Sequence, residues 1–423
     1  MAVVDVRAAL ETSLPSARLA RLRQVQELAV ELRLSVYLVG GFVRDLLLGK
    51  QPGDFDLVVH MAGEADTSAG PRLALALGRR HEGEVTVHSA FGTATWVDPA
   101  GQVIDFATAR TETYATPGAL PQVSPAASIL ADLSRRDFTI NALAIRIDGE
   151  SFGEVLDPYQ GQDDLAEGCV RVLHARSFQD DPTRIVRGAR YEQRLGFQLS
   201  DETAALIPGA LPVFPALSGE RVRHELELIF REPRAPAMLA GLARLGVLQA
   251  IHPALDWGEA HSTRAAVISS LPLEAWQMTG RLDLEVVYLA LLLLEAAPGE
   301  VEPVLDRLCV RREVAEAVPA AVGLRLASTL PSQVVAQLDR ISPMAVAAAY
   351  VLHPLARATL DRYLAQWRFI GAETTGTDLL ALGLEPGPRF RSLLWGLRAA
   401  RLDGAVLDRE GELALVREWV KTE

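Results

Sequence analysis

The run LVGGFVRDLLLGKQPGDFDLVVH, residues 38–60, constrains this chain more than any other. The apolar segment VYLVG at 36–40 reads as a strand ending in a glycine pair. FVRDLLLG then has helical periodicity up to Gly49, and DFDLVVH returns to strand character. A strand–glycine–helix turn lets a ligand approach the backbone closely and offers it the free N–H groups of a helix start, a natural phosphate seat. Gly41 lies in that turn, and Arg44 lies one turn into the helix, on the side a triphosphate would occupy. Residues i and i+2 of a strand share a face, so Asp54 and Asp56 project together while Phe55 turns into the core. Two hard carboxylates on one rigid face suit Mg²⁺ carrying a nucleoside triphosphate. Asp105, in VIDFATA at 103–109, stands as a third carboxylate on a neighbouring strand.

The surrounding sequence organises into an α/β unit of about 145 residues. Residues 17–32 have helical periodicity. EVTVH near Val85, GTATWVD near Thr95 and VIDFATA read as further strands, and LSRRDFTINALAIRI passes from helix into strand. Residues 178–197 read as one long arginine-rich helix and 220–230 as another. From Pro236 onward, leucine- and alanine-rich segments alternate with proline and glycine, and strand signals nearly vanish. Pro233 and Pro236 place a soft boundary near 235.

Composition narrows the classes. Two cysteines in 423 residues exclude a disulfide framework and a cysteine-rich zinc site, and fit a reducing, cytoplasmic setting. The formal charge of −12 argues against a uniformly basic nucleic-acid coat and leaves room for a local basic groove. Lys50 and Lys421 are the only lysines among 42 basic residues. The opening residues lack a charged start followed by an apolar stretch, so no leader is read. The longest apolar run, 286–294, is half a membrane span and reads as a buried helix, so no membrane association is expected. No Walker loop, GxGxxG or His-Asp dipeptide occurs.

Together, LVGGFVRDLLLGKQPGDFDLVV, RRDFTINALA (135–144), DDPTRIVRGARYEQRLGF (180–197) and GERVRHELELIF (219–230) resemble the ordered signatures of a known family. It comprises the class II tRNA nucleotidyltransferases and bacterial poly(A) polymerases, within the polymerase-β superfamily. TGTDLLALGLEPGPRF, residues 375–390, is similar to tail segments of CCA-adding members. The resemblance implies an α+β fold: a polymerase-β-like nucleotidyltransferase head with a mixed sheet and helices, followed by an all-α neck, body and tail. The expected boundaries are 1–150 for the catalytic head, 151–235 for the neck that recognises the base, and 236–423 for a tRNA-binding body and tail. It also implies that Arg136 contacts the incoming nucleotide, that Asp137 and Asn141 order the site, and that Arg187 and Arg190 bind the triphosphate.

Asp181, Arg184, Arg187 and Arg190 recur every third residue, which on a helix forms a slowly winding ridge. A carboxylate beside a guanidinium complements cytosine and adenine, each of which presents an amino donor next to a ring-nitrogen acceptor. Uracil and guanine present the reverse pattern. An Asp181–Arg184 pair therefore selects C and A without a template, the role the resemblance assigns to these positions; Asp180 stands where the family usually has glutamate.

The function implied is Mg²⁺-dependent transfer of CMP and AMP from CTP and ATP to the 3′ end of tRNA, held by its acceptor and TΨC arm. Alternatives of the same fold are an A-only or CC-only enzyme and a poly(A) polymerase. From another class comes a catalytically inactive RNA-binding helical protein, which the intact Asp54, Asp56 and arginine ridge disfavour. CC-only members tend to have a shortened loop before RRD. Here residues 110–134 hold three prolines, read as a mobile loop, and are full length, which disfavours CC-only. GLEPG at 383–387 is a candidate backbone contact to RNA, or a plain turn between helices.

Overall fold

The computed structural model describes residues 6–61 and 67–421; the first five residues of the stretch read for a leader lie outside it. The chain divides between Leu217 and Ser218 into two compact units.

The first unit is built on a seven-stranded mixed sheet of order β3-β4-β5-β2-β1-β8-β9. Its strands are β1 (Leu34–Val39), β2 (Phe55–Met61), β3 (Glu84–His88), β4 (Thr93–Val97), β5 (Val103–Thr108), β8 (Ala144–Arg146) and β9 (Val155–Leu156), with β6 (Arg110–Thr113) and β7 (Gln122–Pro125) forming a separate hairpin. β1 is antiparallel to both β2 and β8, and β2 is parallel to β5. Every residue of β1 is buried, as its unbroken apolar sequence requires for a central strand. Helices Ser16–Leu32 and Ala69–His81 pack on the sheet and on each other. A second buried layer joins Tyr37, Val39 and Val58 to Ala126, Ile129 and Leu133.

The second unit is helical; among its described residues no strand occurs. Its helices include Gly219–Phe230 and Leu284–Leu292, the latter buried from Glu285 onward. No helix among the described residues is long and apolar enough to cross a membrane. A smaller cluster, Leu379, Leu393, Leu397 and Val416, holds the last helices together. GLEPG lies between helices Gly376–Ala381 and Pro388–Leu402, with Gly383 at φ +83°.

Two expectations are corrected. Residues 110–134 are not a structureless loop: they form the β6–β7 hairpin and helix Ile129–Ser134. The turn between the strands is Thr116-Pro117-Gly118-Ala119, with Ala119 N–H donating to the Thr116 carbonyl and Gly118 at φ +73°. Proline second and glycine third is the composition of a type II turn, so the prolines mark a hairpin rather than disorder. The long helix expected over 178–197 is broken. It runs Ser177–Asp180, then Thr183–Leu195, with Asp181 extended at φ −141°, ψ 95° between them. Pro182 disfavours helical geometry in the residue before it. The expected boundaries at 150 and 235 fall inside the two units. The polypeptide after 150 completes the head's core: Phe138 bridges Val172, Thr139 Oγ1 donates to Asp164 at 2.5 Å, and Gly188 lies against the Phe138 ring.

Candidate active site

Asp54 sits at the end of the loop entering β2, which Arg18 pins by donating to the carbonyls of Pro52 (3.2 Å) and Gly53 while its guanidinium covers the Phe55 ring. Phe55 is buried and packs on Phe42, its ring centroid 5.3 Å away. Asp54 and Asp56 are turned out, as the strand alternation demands. Asp105 is level with Asp56 on the parallel neighbour β5, and Thr95 Oγ1 on β4 donates to it at 2.5 Å. Burial, Asp105 and Asp54 push the Asp56 carboxyl above the usual carboxylate range, against the pull of Arg136.

Asp54 and Asp56 border a cavity of about 540 Å³ that also takes in Gly41, Arg44, Arg136, Asp137, Asn141, Asp181, Arg184 and Arg187. Nearly all the residues singled out from the sequence therefore converge on one space. Arg190 is not among its lining residues; its guanidinium lies 5.6 Å from the Tyr191 ring centroid, and the next turn contributes Arg194 instead. Asp105 borders an adjoining cavity of about 400 Å³ that shares Asp56 and Arg136.

The glycine turn is shaped by these arginines. Gly40 has φ +67°, a conformation that favours glycine, and a Cβ there would stand 3.0 Å from the movable end of the Arg136 side chain. Arg44 is buried beneath the cavity rather than reaching freely into it. It donates to Asn141 Oδ1 at 2.8 Å and Asp45 Oδ1 at 2.9 Å, and faces the Tyr191 ring. Asp137 accepts from the Phe138 N–H and Asn141 Nδ2 and pairs with Arg187 at 2.6 Å. Burial alone would raise its pKa, but Arg187 and those hydrogen bonds hold it below the usual range. Arg184 is buried, donating to Ser177 Oγ at 2.7 Å and to the Arg135 carbonyl at 2.8 Å. Asp181 Oδ1 accepts from the Thr183 N–H and hydroxyl, so it caps the helix whose first turn it was expected to occupy.

Sequence reasoning missed the groups that hold this arrangement still. Asp132, fully buried, accepts from Arg135 and Arg136 at 2.8 and 3.0 Å and from the Arg110 N–H. Glu112 on β6 accepts from Arg135, Arg110 and the Tyr114 hydroxyl. Tyr114 lines the cavity, and burial together with Glu112 and Asp181 pushes its hydroxyl up to about 12 despite Arg184. The signal for Asp132 was its i, i+4 spacing to Arg136; Glu112 and Tyr114 carried none once the hairpin was read as a loop.

Comparison with known proteins agrees with this geometry. Family models described as "Poly A polymerase head domain" and "Probable RNA and SrmB-binding site of polymerase A" match residues 36–171 and 196–257. An A-adding tRNA nucleotidyltransferase of Halalkalibacterium halodurans is 33% identical over 96% of this chain and 94% of its own length. The chain belongs to the tRNA nucleotidyltransferase and poly(A) polymerase family. Other members include the A-adding tRNA nucleotidyltransferase of Geobacter sulfurreducens, 36% identical over 95% of this chain; the match spans 47% of that longer protein. The CC-adding tRNA nucleotidyltransferase of Deinococcus radiodurans is 33% identical over 90% of this chain and 89% of its own. Among solved structures, an apo CCA-adding enzyme superimposes with TM-score 0.85 at 30% identity, covering 98% of this chain and 99% of that one. The Thermotoga maritima CCA-adding enzyme complexed with tRNA gives TM-score 0.79 at 28% identity, over 99% of each chain. Membership makes this a nucleotidyltransferase fold with a polymerase-β-like head, as the glycine turn and paired carboxylates imply.

The carboxylates fit a divalent cation shared with substrate. Among the described residues no group of three or more His, Cys, Asp and Glu side chains is placed to hold a metal ion unaided. Mg²⁺ characteristically takes one or two protein carboxylates and completes its shell with phosphate oxygens and water. The raised pKa of Asp56 comes first from burial of its carboxylate and then from the like charges of Asp105 and Asp54, costs that such an ion would offset.

Proposed function

We propose that this chain transfers nucleoside monophosphates, AMP and CMP, from ATP and CTP to the 3′ end of tRNA. The observation that carries the reading is the single cavity where the Asp54–Asp56 pair, Arg136, Arg187 and the Asp181–Arg184 pair meet. The RNA 3′-hydroxyl gives up its proton to solvent, its oxygen bonds to the α-phosphorus, and the bond to the departing pyrophosphate breaks. Asp54 and Asp56 would hold Mg²⁺, which when bound would supply Lewis-acid activation and charge neutralisation at the phosphate. Arg136 and Arg187 stabilise the triphosphate, and Asp181 with Arg184 presents the acceptor–donor edge that C and A complement. The tRNA partner is supported by the family and by the tRNA complex of a relative.

A narrower reading, AMP addition to tRNA already ending in CC, is favoured by two relatives named A-adding that align with 95% and 96% of this chain. Labelled CTP and ATP supplied to tRNAs ending before CCA, after the first C and after CC decide between them. Incorporation of both nucleotides supports CCA addition; ATP alone, on the CC end only, supports the narrower reading. No incorporation on any end would overturn both. Asp54→Ala and Asp56→Ala are expected to reduce turnover by several orders of magnitude while leaving the far-UV circular dichroism unchanged.

A further inference from the structure

Helix Thr183–Leu195 presents more to the active-site cavity than its three-residue arginine repeat accounts for. Each residue turns an α-helix by about 100°, so a step of three falls about 60° short of a full turn. From Arg184 through Arg187 the deficit accumulates, and Arg190 points about 120° away from Arg184. Steps of four and then three from Arg187 restore the face: Tyr191 lies about 20° and Arg194 about 80° from Arg184. The cavity lining follows this stripe. Arg184, Arg187, Tyr191 and Arg194 border it, and Arg190 does not.

Tyr191 is the unexpected member of that stripe. Two guanidinium groups lie near its ring, Arg44 at 5.3 Å and Arg190 at 5.6 Å from the centroid, and Phe138 meets it edge-on at 5.7 Å. The ring is held, but the hydroxyl is not used. It makes no hydrogen bond among the described residues, and its oxygen is accessible rather than enclosed. Position along the helix says which part of a nucleotide it meets. The base-reading pair Asp181–Arg184 stands at the N-terminal end. At 1.5 Å per residue, Arg187 lies about 4.5 Å, Tyr191 about 10.5 Å and Arg194 about 15 Å beyond Arg184. A second observation marks the same end: Arg44, which faces Tyr191, belongs to the helix that follows the glycine turn, the phosphate seat. Asp45 also lines the cavity, but it accepts from Arg44 at 2.9 Å, so its charge is already countered.

We propose that the Tyr191 hydroxyl donates to the outer phosphates of the bound nucleotide and, after transfer, to the departing pyrophosphate, with Arg194 completing the seat at its outer end. An uncharged donor adds a hydrogen bond to phosphate without the like-charge repulsion that a further arginine would meet beside Arg44 and Arg190. Arg190 then acts through the ring it contacts, as a positioning residue, and not on the phosphate itself. Base selection stays with Asp181 and Arg184, at the other end of the stripe, so the Tyr191 contact is common to ATP and CTP. The inference rests on the nucleotidyl-transfer reading of this cavity and assigns its pyrophosphate end.

The test uses Tyr191→Phe, which keeps the ring beside Arg44 and Arg190 and removes only the hydroxyl, together with Arg194→Gln. Magnesium pyrophosphate is titrated calorimetrically into each full-length protein, and its inhibition of CTP and ATP incorporation is measured alongside. Tyr191→Phe is expected to weaken pyrophosphate binding about 10-fold, the scale of one hydrogen bond to a charged acceptor. It should raise the KM of ATP and CTP by one common factor, the sign of a contact made alike in ground and transition states. Arg194→Gln is expected to weaken pyrophosphate binding more at low salt than at high, since an exposed charge contact is screened. A purely structural role for the hydroxyl would lower the thermal midpoint and leave pyrophosphate affinity unchanged. Wild-type pyrophosphate affinity in Tyr191→Phe would overturn the proposal whatever Arg194→Gln does. So would a KM change confined to one nucleotide, or no pyrophosphate binding by the wild-type protein. The titration needs no RNA: absence of nucleotide transfer to any tRNA end condemns the functional reading, whereas intact transfer with unchanged pyrophosphate affinity in Tyr191→Phe condemns only this seat.

Discussion

Asp56 shows how one side chain links electrostatics to function. Its pKa is raised in the folded protein by burial and by the like charges of Asp105 and Asp54. A group whose folded pKa lies above its unfolded one contributes stability below the unfolded pKa and loses it as pH rises through the folded pKa. At neutral pH the ionised Asp56 is therefore a local cost that a divalent cation offsets. Mg²⁺ is expected to raise the thermal midpoint more at pH 7.5 than at pH 5. Asp56→Asn should raise the cation-free midpoint at pH 7.5 by a few degrees, on the scale of about 2–4 °C per kcal/mol, and abolish the response to Mg²⁺. Differential scanning calorimetry on the two proteins measures both; an Asp56→Asn protein that still responds fully to Mg²⁺ excludes Asp56 as a ligand. Asp181 carries a second residue-scale prediction. Because its carboxylate also caps helix Thr183–Leu195, Asp181→Ala would mix lost recognition with a lost cap worth about 1 kcal/mol. Asp181→Asn keeps an oxygen for Thr183 and presents an amino group where the carboxylate presented an acceptor. A charge-assisted hydrogen bond is worth roughly 1.5–3 kcal/mol, so the preference for CTP over UTP should fall by about one to two powers of ten. Equal losses for both nucleotides in single-nucleotide incorporation would show that Asp181 does not read the base.

At the scale of elements, the parts legible in the sequence are those where local pattern and tertiary demand coincide. The run VYLVG is apolar because β1 is central, and DFD alternates because β2 has one face on Phe42 and one on the cavity. What escaped was set by contacts distant in sequence. Residues 110–134 look like a loop in isolation because their strand-forming residues are few and broken by proline; the hairpin gains its order from Ala126, Ile129 and Leu133 packing on β1 and β2, and from Gly118 N–H donating to the Gln179 carbonyl. The break at Asp181 was legible, since Pro182 announces it, but a three-residue arginine period drew the reading into one helix. The i, i+4 spacing of Asp132 to Arg136 signals a pair, but its role in the site depends on burial, which spacing does not disclose. Phe138 joins two of these elements. It is fully buried, meets Tyr191 edge-on at 5.7 Å and fits against Gly188, so it holds the RRD segment to the helix that bears Arg184 and Arg187. Phe138→Ala is expected to cost about 3–5 kcal/mol by urea titration. At urea concentrations where the variant stays folded, discrimination between CTP and UTP should fall along with turnover. A variant that loses stability yet keeps wild-type discrimination would show that the two elements hold their register independently.

For the molecule as a whole, the governing fact is that a chain of formal charge −12 is read as binding a polyanion. Long-range attraction cannot supply the affinity, because the net charge repels a polyanion and fields are largely screened beyond a Debye length of about 8–10 Å. Binding must come from short-range contacts at local cation clusters, and several of the arginines at cavities are already partnered by carboxylates. Arg135 is tied to Glu112 and Asp132, Arg187 to Asp137, and Arg311 to Asp283 and Glu285. Such pairs orient guanidinium groups and dilute their net charge, so few phosphates are neutralised outright. If three or four contacts release counterions, with a slope of about 0.9 per contact, affinity should fall by about two orders of magnitude between 50 and 200 mM salt. A fully basic RNA-coating protein with ten contacts would lose far more. Filter binding of tRNA lacking its 3′ end across that range measures the slope. A slope near zero would mean that phosphate contacts do not hold the RNA, and a slope near −10 would mean that the paired arginines exchange their carboxylates for phosphate on binding, a rearrangement of the very pairs that position the catalytic cavity.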